Sequence, residues 1–352
     1  MSSKIRVVIA DDSAVARSLL RAMLEEDGGF EVVAEARNGK EAAEFARELR
    51  PNLVTMDLMM PVMGGLDAIT AIMSHRAIPI LVVSAAADAK SAYAAVARGA
   101  VEVVAKPSPF HPDAGDFVAR ARLVAKVAVI THLRSLNLAA QTPATTMAGL
   151  SPPAPPPPQG DFEYGPVFAV AASTGGPQAL TQILSSLPEF FTAPVLIAQH
   201  IVDGFAAGMA EWLSTLSSLP VRLAAEGDPV QRGMIYLAPS ETNLAVTPGR
   251  RLTLVKRRPA DIYRPSCDAL LTSVAEVYGR RAVGLILSGM GTDGAKGIER
   301  IAAAGGDTLA QDEKSSVVFG MNRAAIATGR VRQVLPLDRI AAVMVERTMT
   351  GP

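Results

Sequence analysis

The chain has 352 residues, of which 49% are hydrophobic and 19% charged, enough for about two domains of roughly 150 residues, each with a sizeable core. Lys+Arg and Asp+Glu both number 34, so the formal net charge is zero and nonspecific nucleic-acid binding is not expected. Cys267 is the single cysteine, which excludes an internal disulfide and a cysteine-built metal site. The start MSSKIRVVIADD meets acids too soon for a secretory signal, and no apolar run is long enough to span a bilayer. A soluble, cytoplasmic monomer without membrane insertion is expected.

The first half alternates apolar runs with segments of helical period. IRVVIA, EVVAEA, LVTMD, PILVVS and VEVVAK read as strands, and SAVARSLLRAMLEE and GKEAAEFAREL as helices between them. Five such units predict a parallel sheet covered on both faces. Asp11 and Asp12 end the first strand, Asp57 the third and Ser84 the fourth, and Lys106 follows the fifth. In a doubly wound sheet of order 2-1-3-4-5, strands one and three are neighbours at the switch point, where ligands bind beyond the carboxyl ends. Three carboxylates so close need a cation, and hard oxygen ligands suit Mg2+. Any one of these acids alone could be a helix cap or a solvated loop residue.

The pattern resembles the receiver domain of bacterial response regulators over residues 4 to 130. The resemblance implies that Asp57 is the phosphoacceptor, attacking a phosphohistidine on a sensor histidine kinase. Asp12 would support Mg2+ directly, Asp11 less directly, and Met59 through its backbone carbonyl. Lys106 and Ser84 would hold the phosphoryl oxygens. Val103 stands where receivers often carry an aromatic switch residue three places before the lysine, so a signal through such a ring is not expected.

The run SPPAPPPPQG, residues 151 to 160, can form neither ladder nor helix and favours extended polyproline II. It divides the chain into an expected receiver domain at 1–133, a Pro-rich linker at 134–163 and a catalytic domain at 164–350.

In the second half VFAVAA, PVLIAQ, MIYLAP, AVGLILS and DTLAQ read as strands, and NLAVTPGRRLTLVK as a hairpin around Pro248-Gly249. A second α/β domain with a mostly parallel sheet is expected. GMGTDG, residues 289 to 294, matches a dinucleotide-binding fingerprint after a strand, with Asp312 about twenty residues on. Asp293 would then stand where a pyrophosphate must approach, and would repel it.

A different chemistry follows if Asp293 has a partner. His200 is the only histidine of the second half, and Ser173, His200 and Asp293 each follow an apolar strand. Parallel strands would bring these ends to one sheet edge, where a serine nucleophile, a histidine base and an orienting carboxylate could meet. In ASTGGP, Pro177 suits the first helical turn, and Gly175 and Gly176 would give a substrate room to approach. Each residue also has an ordinary reading: Ser173 or Asp293 as a helix cap, His200 as a buried hydrogen-bonded side chain, Cys267 as a small core residue.

ASTGGP, AQHI, RPSCD, LSGMGTDG and QDEKSSVVFGMNRAAI together resemble the catalytic domain of the bacterial chemotaxis receptor methylesterases, the protein-glutamate methylesterase family. That resemblance spans about residues 165 to 345, and a receiver plus linker is the family's architecture. It implies Ser173 as nucleophile, His200 as base, Asp293 as orienting acid, the Met290 amide as oxyanion donor, and Thr174 lining the site. The implied reaction is hydrolysis of glutamate methyl esters on chemoreceptors, with deamidation of selected glutamines and no cofactor for the hydrolysis. An unphosphorylated receiver is expected to cover the site. The readings weighed against this are a dinucleotide-dependent oxidoreductase and an output domain that only binds partners.

Overall fold

The structure is a computed structural model that describes residues 4–85, 89–107, 114–127, 165–258 and 262–350. The proline run and the linker expected at 134–163 lie outside these residues.

The N-terminal unit contains strands β1 (Ile5–Ala10), β2 (Phe30–Ala36), β3 (Leu53–Met56), β4 (Ile80–Ser84) and β5 (Glu102–Ala105). They alternate with helices α1 (Ala14–Glu26), α2 (Gly39–Leu49), α3 (Gly65–His75), α4 (Ala89–Ala97) and α5 (Ala114–Ala125). The strand order is β2-β1-β3-β4-β5, every pair parallel, as the alternation predicts. Consecutive side chains of β1 enter opposite layers: Val7 and Ile9 pack with Leu20, Leu24 and Phe30, while Val8 and Ala10 face the other side. Two helix starts are fixed by side chains. Ser13 accepts the Ala16 N–H, and Asn38 accepts the Glu41 N–H while Glu41 accepts the Arg37 N–H.

The C-terminal unit has a seven-stranded sheet in the order β14-β13-β12-β6-β7-β9-β8. Its strands are β6 (Val167–Ala172), β7 (Val195–Gln199), β8 (Val221–Leu223), β9 (Ile235–Leu237), β12 (Ala282–Ile286), β13 (Asp307–Gln311) and β14 (Gln333–Leu335). β10 (Thr242–Val246) and β11 (Leu252–Lys256) form the predicted antiparallel hairpin. The helices are α6 (Gly176–Ser186), α7 (Ala206–Ser214), α8 (Cys267–Tyr278), α9 (Ala295–Ala303), α10 (Met321–Ala327) and α11 (Leu337–Thr350). Every pair in the large sheet is parallel, which goes beyond the mostly parallel sheet expected. β8 and β14 were not read from the sequence. Each has three residues and lies at an edge, too short for alternation to show.

The two units pack together through α4, which lies against α6 and α7. Tyr93 of α4 stacks on Trp212 of α7 with ring centroids 5.6 Å apart. Gln178 of α6 donates both amide protons across the boundary, to the carbonyls of Ala100 and Val101, at 2.9 Å each.

Candidate active site

Two clusters of chemistry-bearing side chains form at the carboxyl ends of the two sheets. In the N-terminal unit Asp11, Asp12 and Asp57 each place a carboxylate oxygen within 4.8 Å of the others. The Lys106 ammonium sits 2.8 Å from Asp11 Oδ2 and 3.0 Å from Asp57 Oδ2. Burial pushes the Asp57 carboxyl up, the neighbouring Asp11 charge adds to this, and Lys106 opposes it, leaving a net rise. Ser84 Oγ is buried and has no hydrogen-bond partner among the described residues, an uncommon state for a hydroxyl. A hard cation fits three oxygens, and the Ser84 hydroxyl fits an incoming phosphoryl oxygen. Met59 follows in the loop after β3 with its side chain exposed, so only its backbone could serve a cation.

In the C-terminal unit β6 lies between β12 and β7, so Ser173, His200 and the loop carrying Asp293 leave adjacent parallel strands at one edge. The ladder continues past the strand ends: His200 N donates to Ala172 O at 2.9 Å and Ser173 N to Ser288 O at 3.0 Å. Gln199 ties the two turns together, donating its amide to the carbonyls of Ser173 and His200 at 2.9 Å each.

His200 Nε2 lies 2.8 Å from Asp293 Oδ2. Burial alone would raise the Asp293 carboxyl, but His200 and the N–H groups of Cys267 and Asp268 outweigh it and hold the group below the usual range. Those N–H groups, at 2.6 and 2.9 Å, open helix α8. An ionised Asp293 only accepts, so Nε2 carries the proton and Nδ1 keeps its lone pair. That is the tautomer a general base needs.

Neither Ser173 nor Asp293 is the N-cap of the helix that follows it. The N-cap of α6 is Gly175 and that of α9 is Gly294, both with positive φ and no side-chain cap. The dinucleotide reading fails as well, because Asp293 turns inward to His200 and the Asp312 carboxylate is taken by Ser315.

One expectation needs correction. The space at Gly175 and Gly176 is not left for substrate. A Cβ on Gly175 would lie 2.4 Å from Val317 Cβ, and one on Gly176 would lie 2.0 Å from Gln199 Oε1. Thr174, next to Ser173, donates its hydroxyl to Glu102 Oε2 of β5 at 2.9 Å, while Val317 packs against the core of the N-terminal unit. The turn that presents Ser173 is thus pinned from the other unit.

Residues 168–344 match the CheB methylesterase family, and residues 7–113 match the response regulator receiver domain. The chain belongs to the CheB methylesterase family. It is 55% identical to protein-glutamate methylesterase/protein-glutamine glutaminase 3 of Paramagnetospirillum magneticum, covering 98% of this chain and 96% of the relative. A relative from Anaeromyxobacter dehalogenans, protein-glutamate methylesterase/protein-glutamine glutaminase 2, is 43% identical over 98% of this chain and 97% of its own. Among solved structures, the CheB methylesterase catalytic domain of Thermotoga maritima matches with a TM-score of 0.50 at 35% identity, covering 52% of this chain and 98% of that one.

Within this CheB-type site, sequence reasoning missed several contacts. Cys267 is fully buried at a helical spacing, as a core residue should be, yet its Sγ also lies 3.5 Å from His200 Nε2. Burial first, and the Asp293 charge next, push its thiol well above the usual range. Protonated, and with the Asp293 oxygens already on N–H donors, the His200–Cys267–Asp293 group is a hydrogen-bonded cluster rather than a cation cage. Asp268 accepts from Gly294 N and Gly297 N, and Tyr263 stacks on His200. No spacing rule announces these, because each depends on which loops the sheet edge brings together.

The lowered Asp293 value sets a sign for stability against pH. A carboxyl whose folded value is depressed contributes stability that is complete above its unfolded value, about 3.9, and is lost as pH falls through the folded one. Asp293→Asn is therefore expected to unfold at lower urea than wild type at pH 7 and to lose less stability than wild type on acidification below about pH 4. Parallel urea midpoint-versus-pH curves for the two proteins would contradict this.

Proposed function

We propose that this chain is a phosphorylation-activated serine hydrolase that removes glutamate methyl esters from chemoreceptors, and deamidates selected receptor glutamines, in the cytoplasm as part of chemotactic adaptation. The supporting observation is the buried His200–Asp293 hydrogen bond at the strand edge from which Ser173 also emerges. Among the described residues no helix is long and apolar enough to cross a membrane.

Ser173 Oγ attacks the ester carbonyl carbon while His200 Nδ1 takes its proton. Asp293 stabilises the imidazolium through Nε2–H and does not itself accept the proton. The Met290 amide, in the loop before Asp293, donates to the oxyanion. His200 then protonates the leaving methoxide, methanol departs, and a water activated by His200 hydrolyses the acyl-enzyme. With a glutamine substrate the leaving group is ammonia and the steps are the same.

In the receiver unit Asp57 attacks the phosphorus of a kinase phosphohistidine. Lys106 and the Ser84 hydroxyl bind the phosphoryl oxygens. A Mg2+ held by Asp11, Asp12, Asp57 and the Met59 carbonyl would neutralise the charge gathered there. Without phosphorylation the receiver stays docked through Glu102–Thr174, Gln178 and Tyr93–Trp212, beside the nucleophile turn. The domain division expected from the sequence, 1–133 and 164–350 about a linker, serves this arrangement.

Methanol release from methylated receptor membranes tests the chemistry. Ser173→Ala should lower turnover by roughly 10⁴- to 10⁶-fold, and near-normal turnover would remove Ser173 as nucleophile. Asp57→Ala should abolish stimulation by a phosphodonor and spare the unstimulated rate, as should chelation of divalent cations; persisting stimulation in the variant would defeat the control scheme. Glu102→Leu combined with Gln178→Ala removes interdomain hydrogen bonds worth about 0.5–1.5 kcal/mol each, so the unstimulated rate should rise roughly tenfold. An unchanged unstimulated rate would show that these contacts do not hold the enzyme down.

A further inference from the structure

Asp293 fixes one edge of the His200 ring and the Cys267 sulfur lies beside the same nitrogen, but neither covers a face. Tyr263, in the segment leading into α8, does. Its ring stacks on the imidazole with centroids 5.0 Å apart and planes inclined by 11°. The phenol oxygen accepts the Thr292 N–H at 3.4 Å. Gly291, at φ +99°, approaches so closely that a Cβ there would sit 2.9 Å from that oxygen. One half-buried side chain therefore touches the base and, with its far end, the loop that carries Met290 and Asp293.

We propose that Tyr263 is a positioning residue for the hydrolysis, acting through the His200 imidazole; this rests on the reading of His200 as the base. A histidine held at one nitrogen can still pivot about that bond. A ring stacked on its face removes the pivot, keeping Nε2–H on Asp293 and holding the orientation of the ring that carries Nδ1. The same face attracts the ring more strongly once it is imidazolium, because an aromatic face is electronegative. The contact is therefore tighter after proton transfer than before it. An interaction that strengthens towards the transition state acts on kcat and leaves KM nearly unchanged.

The hydroxyl is the weaker part of the contact, since its hydrogen bond is long and links one loop to another. The ring is the stronger part, which makes phenylalanine the conservative replacement and leucine or methionine the disruptive ones.

The experiment uses the full chain and measures kcat and KM for methanol release, together with the His200 Nε2–H resonance in protein labelled with ¹⁵N-histidine. Tyr263→Phe should keep kcat within about twofold, whereas Tyr263→Leu and Tyr263→Met should lose about tenfold or more in kcat with KM within about twofold. The Nε2–H signal should persist in wild type and Tyr263→Phe and broaden by exchange with water in Tyr263→Leu and Tyr263→Met. Wild-type kcat in both aliphatic variants, a loss confined to KM, or an equal loss in Tyr263→Phe would overturn the proposal. If wild type itself releases no methanol, the esterase reading fails, while the resonance still reports whether the ring holds the imidazole.

Discussion

A carboxylate removed from water must be met by directed donors, and the way Asp293 meets this condition organises the C-terminal unit. Its two oxygens take the first N–H groups of α8, while Asp268, from α8 itself, takes the N–H groups of Gly294 and Gly297 at the start of α9. Each helix thus lends an acid to the other's N-terminus, where free N–H groups and the helix dipole both favour negative charge. The two carboxylates repel, and the environment resolves the conflict unequally. Burial raises the Asp268 carboxyl, with the Asp293 charge adding to the rise, whereas Asp293 is held down by His200 and its N–H donors. The asymmetry makes the negative charge most favourable on the acid that faces the histidine.

That exchange would be useless if the histidine were elsewhere, and the parallel sheet is what brings it near. In a parallel ladder all carboxyl ends share one edge, so three residues far apart in sequence leave β6, β7 and β12 side by side. Strand-to-strand hydrogen bonds then run on into the loops, which is why Ser173 and His200 are fixed by backbone and not only by side chains. This much is legible in the sequence, because Ser173, His200 and Asp293 each interrupt a clear apolar run. The same holds for Asp11, Asp57 and Lys106 in the receiver. Tyr263 is not legible, since it lies in an irregular segment with no period, and its meaning depends on where the neighbouring loops fold. Cys267 is read correctly as core but incompletely, because helical spacing reports burial and not which polar group shares the space.

The contact between the units was equally invisible. Thr174 and Glu102 are 72 residues apart, in separate folding patterns, and either alone has an ordinary explanation. A buried glutamate on a strand is costly unless paired, and here its oxygens are divided between Arg120 of its own unit and Thr174 of the other. The glycines of ASTGGP are opaque in the sequence for the same reason. Their bareness is needed by Val317 and Gln199, which only the folded chain brings to them.

The strand that carries Glu102 also leads to Lys106, and this gives the two clusters a short physical connection. Lys106 is held by the carboxylates of Asp11 and Asp57. Lys106 lies four positions after Glu102, about 13 Å of extended backbone. With Val103 in place of an aromatic residue there is no ring to swing between buried and exposed positions, and Val103 packs against the core. The connection from Lys106 to Thr174 therefore runs along β5 itself, through Glu102. Because Thr174 follows Ser173 directly, one strand and one hydrogen bond join the Asp11–Asp57–Lys106 cluster to the turn that carries Ser173.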